Sequence, residues 1–190
     1  MDLMNVIVLI LAGFWLMLPA YLPNSAAVLF GGGTPIDFEK SWKGHRLLGD
    51  GKTWTGLIGG IAAGTALGFV QIFIALPFDD QNFWGFGVVP RAMEIVLVLA
   101  IGSLLGDLAG AFIKRRLGLE RGAKAPVLDQ YNFIAGAVLL SLLVFPDWFI
   151  GAFIEGEHLI SLLAVLMITP LLHRGVNIIG YKKGLKKVPW

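Results

Sequence analysis

The sequence predicts an all-α integral membrane protein of five transmembrane helices, with its N-terminus outside, its C-terminus in the cytoplasm and a polar cavity on the cytoplasmic side. Three observations carry this reading. The 190-residue chain is 56% hydrophobic and only 15% charged, against about 45–50% and about 25% in soluble domains. Its mean hydropathy is +0.76. Five apolar runs, at roughly Leu3–Phe30, Trp54–Phe78, Ala92–Ile113, Asn132–Phe149 and Leu159–Ile179, each approach or exceed the roughly 20 residues that cross a bilayer as a helix.

The basic residues fix the orientation. The segment 31–53 holds Lys40, Lys43, Arg46 and Lys52, whereas 79–91 holds only Arg91. The third connection carries Lys114, Arg115, Arg116, Arg121 and Lys124, the fourth (147–158) none, and the C-terminal region Arg174, Lys182, Lys183, Lys186 and Lys187. This alternation places 14 of the 15 basic residues on one side, as the positive-inside rule requires. Any single Lys or Arg can therefore be a topology determinant and nothing more. A pI near 9.0 is explained by that asymmetry and does not point to nucleic acid. With no Cys, disulfides, Cys-based zinc sites and thiol nucleophiles are excluded.

In the first span only Asp2 precedes the apolar run, so a cleaved signal peptide is not expected. Pro19 and Pro23, followed by Asn24, predict a kinked or broken inner end, which membranes tolerate where it lines a cavity. The stretch Gly31-Gly32-Gly33-Thr34-Pro35-Ile36-Asp37 is a flexible turn able to bring backbone N–H groups against an anion, or a plain interhelical loop. Leu47-Leu48-Gly49-Asp50-Gly51-Lys52-Thr53-Trp54 opens the second span. Gly51-Lys52-Thr53 is similar to the end of a P-loop, but the earlier glycine position is Arg46 and no strand precedes it. Amides and Lys52 at a helix N-terminus nonetheless make a phosphate site. Gly56, Gly59, Gly60, Ala63 and Gly64 predict close helix packing.

The third span carries the strongest signal. Ser103, Gly106, Asp107, Gly110, Ala111 and Lys114 share one helical face. A carboxylate in a membrane helix costs about 2.5–3.5 kcal/mol on insertion scales and is usually functional; the plain alternative is a salt bridge to Lys114 or to another helix. Asp129 follows Pro126 where the fourth helix begins, and helix capping is its ordinary reading. Because the chain leaves the third helix and re-enters the fourth from the same side, Asp129 returns near the mouth of the Asp107 face. Two carboxylates beside Lys114, Arg115 and Arg116 suit a magnesium–polyphosphate site. In the fifth span Thr169, His173, Asn177 and Tyr181 recur every four residues as a cavity lining or a packing seam.

The order Gly106-Asp107, Ile113-Lys114-Arg115-Arg116, Pro126 and Asp129-Gln130 resembles the archaeal CDP-archaeol synthase family, relatives of the CDP-diacylglycerol synthases. Asn24, the 31–37 and 46–54 strings and the Lys186-Lys187-Val188-Pro189-Trp190 ending extend the resemblance over nearly the whole chain. The wider synthase signature continues with His-Gly-Gly and Asp-Arg-x-Asp; this chain keeps Asp129 but has Gln130 and Asn132 at the later positions.

The resemblance implies one cytidylyltransferase domain spanning 1–190 in the cell membrane, its active site facing the cytoplasm. CTP and an isoprenoid ether-lipid phosphate give CDP-archaeol and pyrophosphate, with Mg²⁺ as cofactor. It further implies Asp107 and Asp129 as metal ligands, and these two with Lys114 as catalytic. Gly32, Gly33, Lys52, Thr53, Lys114, Arg115, Arg116 and Gln130 are then expected on nucleotide and phosphates, and Asn24, Asp50, His173 and Asn177 on the lipid phosphate or the cavity wall. A small transporter is the alternative, since it too would have broken helices and an intramembrane acid.

Overall fold

The computed structural model describes residues 2–79, 83–120 and 122–185. The helices are α1 (Leu3–Phe30), α2 (Trp54–Ala75), α3 (Val89–Arg116), α4 (Pro126–Val144), the short α5 (Pro146–Phe153) and α6 (Leu159–Lys182). A hairpin of β1 (Ser41–Trp42) and β2 (His45–Arg46) lies between α1 and α2. All helices but α5 are long and apolar enough to cross a membrane. Their outward faces are apolar too: Leu143 is 79% exposed and Met167 76%. Such faces are at home in lipid and not in water. The chain is a multi-pass membrane protein.

Several boundaries differ from the sequence reading: α3 extends beyond Ala92–Ile113 at both ends and α6 runs on past Ile179, and three further differences have a local cause in proline. The run expected as one span over Asn132–Phe149 is two helices, because Pro146 drives Phe145 out of the helical region (φ −132°, ψ 59°), the usual restriction on a residue before proline. The same helix begins earlier, at Pro126, whose missing N–H suits a first helical position. α2 stops at Ala75 rather than Phe78, just ahead of Pro77. Hydropathy locates the lipid-facing stretch and not the backbone ends.

α1 is not broken. It runs through Pro19 and Pro23 for 28 residues. Pro19 has no N–H for the carbonyl of Trp15, four residues back, and Gln71 of α2 donates its Nε2–H to that carbonyl at 2.6 Å. Pro170 likewise frees the carbonyl of Leu166 in α6, which accepts the Tyr131 hydroxyl at 3.1 Å. In lipid an unpaired carbonyl has no water to turn to. Two polar side chains thus tie the proline-bearing helices to neighbours, α1 to α2 and α6 to α4.

α3 is the central helix, with Ile95, Val96, Leu99 and Ala100 fully buried. Small residues let its neighbours approach. Gly60, Gly64 and Gly68 seat α2 against Leu104, Ala100 and Val96. A Cβ on Gly106 would stand 2.1 Å from the backbone oxygen of Asn132, so α3 and α4 touch main chain to main chain. The opposite end is closed by an aromatic cluster of Phe86, Trp148, Phe149 and Phe153. Rigid packing there leaves the chemistry to the basic end.

Candidate active site

At the basic end the loops between α1 and α2 and between α3 and α4 meet the last turns of α6. The first loop is built around Asp37, whose side chain is only 1% exposed. Its carboxylate takes Arg46 Nη2 at 2.7 Å and Nε at 3.2 Å, and the N–H groups of Glu39, Leu48 and Gly49 at 3.0–3.2 Å. Burial alone would push the Asp37 carboxyl up; the Arg46 guanidinium and the Gly49, Leu48 and Glu39 N–H groups outweigh it and hold the group well below the usual carboxylate range. The loop then pairs with the start of α2. Ile36 N–H donates to the Lys52 carbonyl at 2.8 Å and Trp54 N–H to that of Thr34 at 3.2 Å. Thr53 caps α2 by accepting Gly56 N–H at 3.2 Å. These contacts fix where Lys52 points.

Lys52 Nζ forms an ion pair with Asp107 of α3. The carboxylate of this apolar helix therefore has its partner in the loop just before α2 and not in Lys114. Lys114 instead bonds Asp129 at 2.9 Å and the Ala123 carbonyl at 2.7 Å. Asp129 also accepts Ala125 N–H at 3.0 Å, so it both caps α4 and pairs across to α3. A cavity of about 370 Å³ joins the two pairs, lined by Asn24, Lys52, Thr53, Asp107, Asp129 and Asn177, with Tyr21, Asn132, Phe133 and His173. The Asn24 Oδ1 is buried without a partner. Asp107 and Asp129 stay 23% and 24% exposed. Partial exposure leaves both carboxylates accessible from the cavity.

The other residues expected on phosphates lie elsewhere. Gly32 (φ +147°) and Gly33 (φ +67°) do turn the chain, but the Gly32 N–H donates to the Thr53 hydroxyl at 3.2 Å, and neither glycine lines the cavity. Arg115 bonds the carbonyls of Leu48 and Leu119. Arg116 donates to the carbonyls of Trp42, His45 and Arg46 at 2.6–3.1 Å and lies over the Trp42 and Phe112 rings. Arg116 clamps the hairpin, and Arg115 the loop just after it. Asp50, 63% exposed, pairs with Arg46 at 2.6 Å and is outside the cavity. Gln130 lines a second chamber beside the first. Lys114 touches the cavity only through Asp129. Residues 186–190 of the C-terminal motif lie outside the described residues.

Sequence reasoning missed the tie of Tyr21 to α6, made by a 2.6 Å hydrogen bond to Thr169. A hydroxyl-bearing ring between Pro19 and Pro23 was the available signal. It also missed Asp37 as the loop's organiser, because the five groups it binds are up to 12 residues away.

Two carboxylates and two lysines around a cavity floored by apolar helices define a membrane protein equipped for a phosphate-bearing ligand. The particular family follows from comparison. The family model of CDP-archaeol synthase (CarS-like) matches residues 6–190. A CDP-archaeol synthase of Methanocorpusculum labreanum is 48% identical over 182 residues, covering 92% of this chain and 100% of the relative. One from Methanospirillum hungatei is 49% identical with the same coverage. One from Pyrococcus horikoshii is 46% identical over 95% of this chain and 97% of its own. A solved structure of an intramembrane enzyme for archaeal membrane lipids biosynthesis superposes with a TM-score of 0.66 at 37% identity, over 89% of this chain and 94% of that one. The chain belongs to the CDP-archaeol synthase family. The transporter alternative falls with that finding.

Proposed function

We propose that the cavity performs CTP-dependent cytidylyl transfer to an archaeal ether-lipid phosphate, forming CDP-archaeol and pyrophosphate in membrane lipid synthesis. One domain spanning 1–190 carries the reaction. The observation that carries this reading is that Asp107 with its partner Lys52, and Asp129 held from behind by Lys114, line one cavity. A phosphomonoester bears about −1.5 to −2 charge at neutral pH, so the attacking oxygen needs no strong general base. The chain must supply positioning and charge neutralisation.

The donor set fits a magnesium ion. That ion takes one or two carboxylates and fills its remaining positions with phosphate oxygens and water. Asp107 and Asp129 provide the two carboxylates, and the unpaired Asn24 Oδ1 adds a neutral oxygen to the same cavity. Among the described residues no group of three or more His, Cys, Asp or Glu side chains gathers. When bound, the ion offsets charge on the phosphates and aligns attacking and leaving oxygens.

The lysines act before and during binding. In the free protein Lys52 and Lys114 neutralise the carboxylates, so neither acid stands uncompensated near lipid. As nucleotide enters, both lysines exchange carboxylate for phosphate, keeping each charge paired. Lys52 is aimed by the Asp37-centred loop. Arg115 and Arg116 hold that loop in place through its backbone carbonyls. The isoprenoid chains rest against apolar helix faces while the phosphate reaches the polar cavity, which faces the cytoplasm of a cell membrane by the charge asymmetry of the loops.

The test is CTP-dependent CDP-lipid formation by purified Asp107→Asn and Asp129→Asn proteins. Each should lose at least about 100-fold in turnover, the scale on which single electrostatic groups act. Near-normal turnover in both would reject the metal assignment. Orientation is checked separately, since the chain has no Cys: a lone cysteine replacing Lys43 should label only from the cytoplasmic side.

A further inference from the structure

The loop between α1 and α2 leaves three large aromatic rings outside the core: Phe38 is 59% exposed, Trp42 49% and Trp54, where α2 begins, 41%. A loop surrounded by water seldom leaves such rings uncovered together. Each ring has a defined seat. Phe38 tilts against Trp54 with ring centroids 6.3 Å apart, and Trp42 stacks on Phe112 of α3 at 6.3 Å with the planes 16° apart.

Both pairs sit at the basic ends of lipid-facing stripes. On α2, Trp54, Ile58 and Ala62 recur every four residues and all are exposed. On α3, Leu105, Ala109, Phe112 and Arg116 share one face, with Leu105 and Ala109 exposed. Phe112 stands one turn from the end of α3, so Trp42 continues that stripe just past the apolar span. Tryptophan favours this depth, where its ring meets acyl chains and its N–H meets headgroups. The rings extend a surface already given over to lipid.

Cations surround them. Trp42 pairs with His45 across the hairpin, leaving Lys43-Gly44 as a two-residue turn with φ +51° and +78°, the mirror-image turn that suits twisted strands. That turn lays Lys43 Nζ 5.3 Å from the centre of the Trp42 ring, and the Arg116 guanidinium lies 5.1 Å from it. Lys40 is exposed at the foot of the hairpin, where its carbonyl accepts Leu47 N–H at 3.0 Å. Among the described residues no carboxylate pairs with Lys40, Lys43 or Arg116. Of the exposed carboxylates in the same loop, Asp50 is taken by Arg46, and Glu39 stands alone against three cations. An aromatic and positive surface at the rim of a lipid-facing helix fits anionic headgroups, and a lysine can lay its stem on the rings while its head reaches a phosphate.

We infer that the hairpin and its flanking rings form a docking surface for anionic lipid headgroups in the leaflet at the basic end. Phe38, Trp42 and Trp54 lie at the acyl boundary, and Lys40 and Lys43 meet lipid phosphates. The surface is separate from the cavity, which none of these five residues lines. The Arg46–Asp37 clasp joins it to the loop that aims Lys52, so a docked hairpin steadies that loop from outside.

Because the chain has no Cys, a nitroxide on Ser41→Cys reports the hairpin alone in the full-length protein. Its depth and mobility are followed in bilayers of phosphatidylcholine with a rising share of phosphatidylglycerol. The label should lie in the headgroup layer and lose mobility as phosphatidylglycerol rises. Lys40→Gln and Lys43→Gln should each raise the half-effective share about fivefold, the scale of one lysine at an anionic surface, while Lys43→Arg keeps the wild-type response. High salt should weaken that response by screening; where a variant melts early, this comparison on wild type takes its place. A label in open water at every composition would overturn the inference, as would a response that ignores both salt and the two lysines. Dipolar broadening between labels, unchanged by phosphatidylglycerol, would assign the surface to a second copy of the chain and overturn it as well.

Discussion

Gly106→Ala tests whether the spacing of α3 and α4 sets the chemistry. The added methyl carbon would lie 2.1 Å from the Asn132 backbone oxygen, 2.9 Å from the Gly136 Cα and 3.0 Å from the Asn132 carbonyl carbon, where ordinary contact begins near 3.4 Å. All three obstacles are main chain, so no side chain can swing aside; α4 has to retreat by roughly 1 Å. Asp107 is the next residue on α3, and Asp129 lies one turn below Asn132 on α4. The retreat therefore opens the distance between the two carboxylates directly. A misplacement of about 1 Å in an aligned site costs on the order of 100-fold in rate. Alanine favours the helix by about 0.8–1.0 kcal/mol over glycine, so a loss cannot be blamed on weakening α3 itself. Turnover is followed as CDP-lipid formed from CTP, with monodispersity and thermal midpoint as fold controls. Gly151→Ala, where a Cβ meets nothing within 4 Å, should be silent. A well-folded Gly106→Ala protein turning over within about twofold of wild type would refute the claim that the glycine contact sets carboxylate spacing.

Three further outcomes follow from the loop and the helix pairs. Asp37→Asn should speed hydrogen exchange at Leu48 and Gly49, whose amides donate to that carboxylate, and lower turnover through Lys52; unchanged exchange would contradict the clasp. In its pH dependence, the folded Asp37 titrates below its unfolded value of about 3.9. Its contribution is therefore whole at neutral pH and declines only as pH falls below about 4, so the wild-type advantage over Asp37→Asn should be flat from pH 6 to 8 and shrink in acid. Gln71→Leu removes the donor to the Trp15 carbonyl left by Pro19 and should cost about 1–3 kcal/mol of stability, read as a lower thermal midpoint, while turnover per folded molecule is kept; Tyr131→Phe should act likewise on α6.

Much of the site was legible because membranes punish unneeded charge. Asp107 stands out in an apolar helix for that reason, and the chain's return to the same side places Asp129 near it. The partners of the neighbouring basic and glycine positions were not legible. Arg115 and Arg116 look like Lys114 in a basic run, yet successive helical positions point about 100° apart, so Lys114 turns to Asp129 while Arg115 turns to the Leu48 carbonyl and Arg116 to the hairpin. Gly32 and Gly33 suggested an anion cradle, but Thr53 of the next segment takes the Gly32 N–H. Pro19 and Pro23 suggested a kink or a break, yet α1 is continuous, and the Trp15 carbonyl that Pro19 frees is taken by Gln71, 56 residues from Trp15.

Amino-acid order alone determined the membrane class, the number of candidate spans and the family. Each is written in local hydropathy, charge and short strings, properties a segment has without its neighbours. Folding decided which lysine meets which carboxylate, which cations face the cavity, and that a second chamber opens behind Asp129. Those are pairings between helices, and pairing depends on a few ångströms of packing between distant glycines that no local pattern contains.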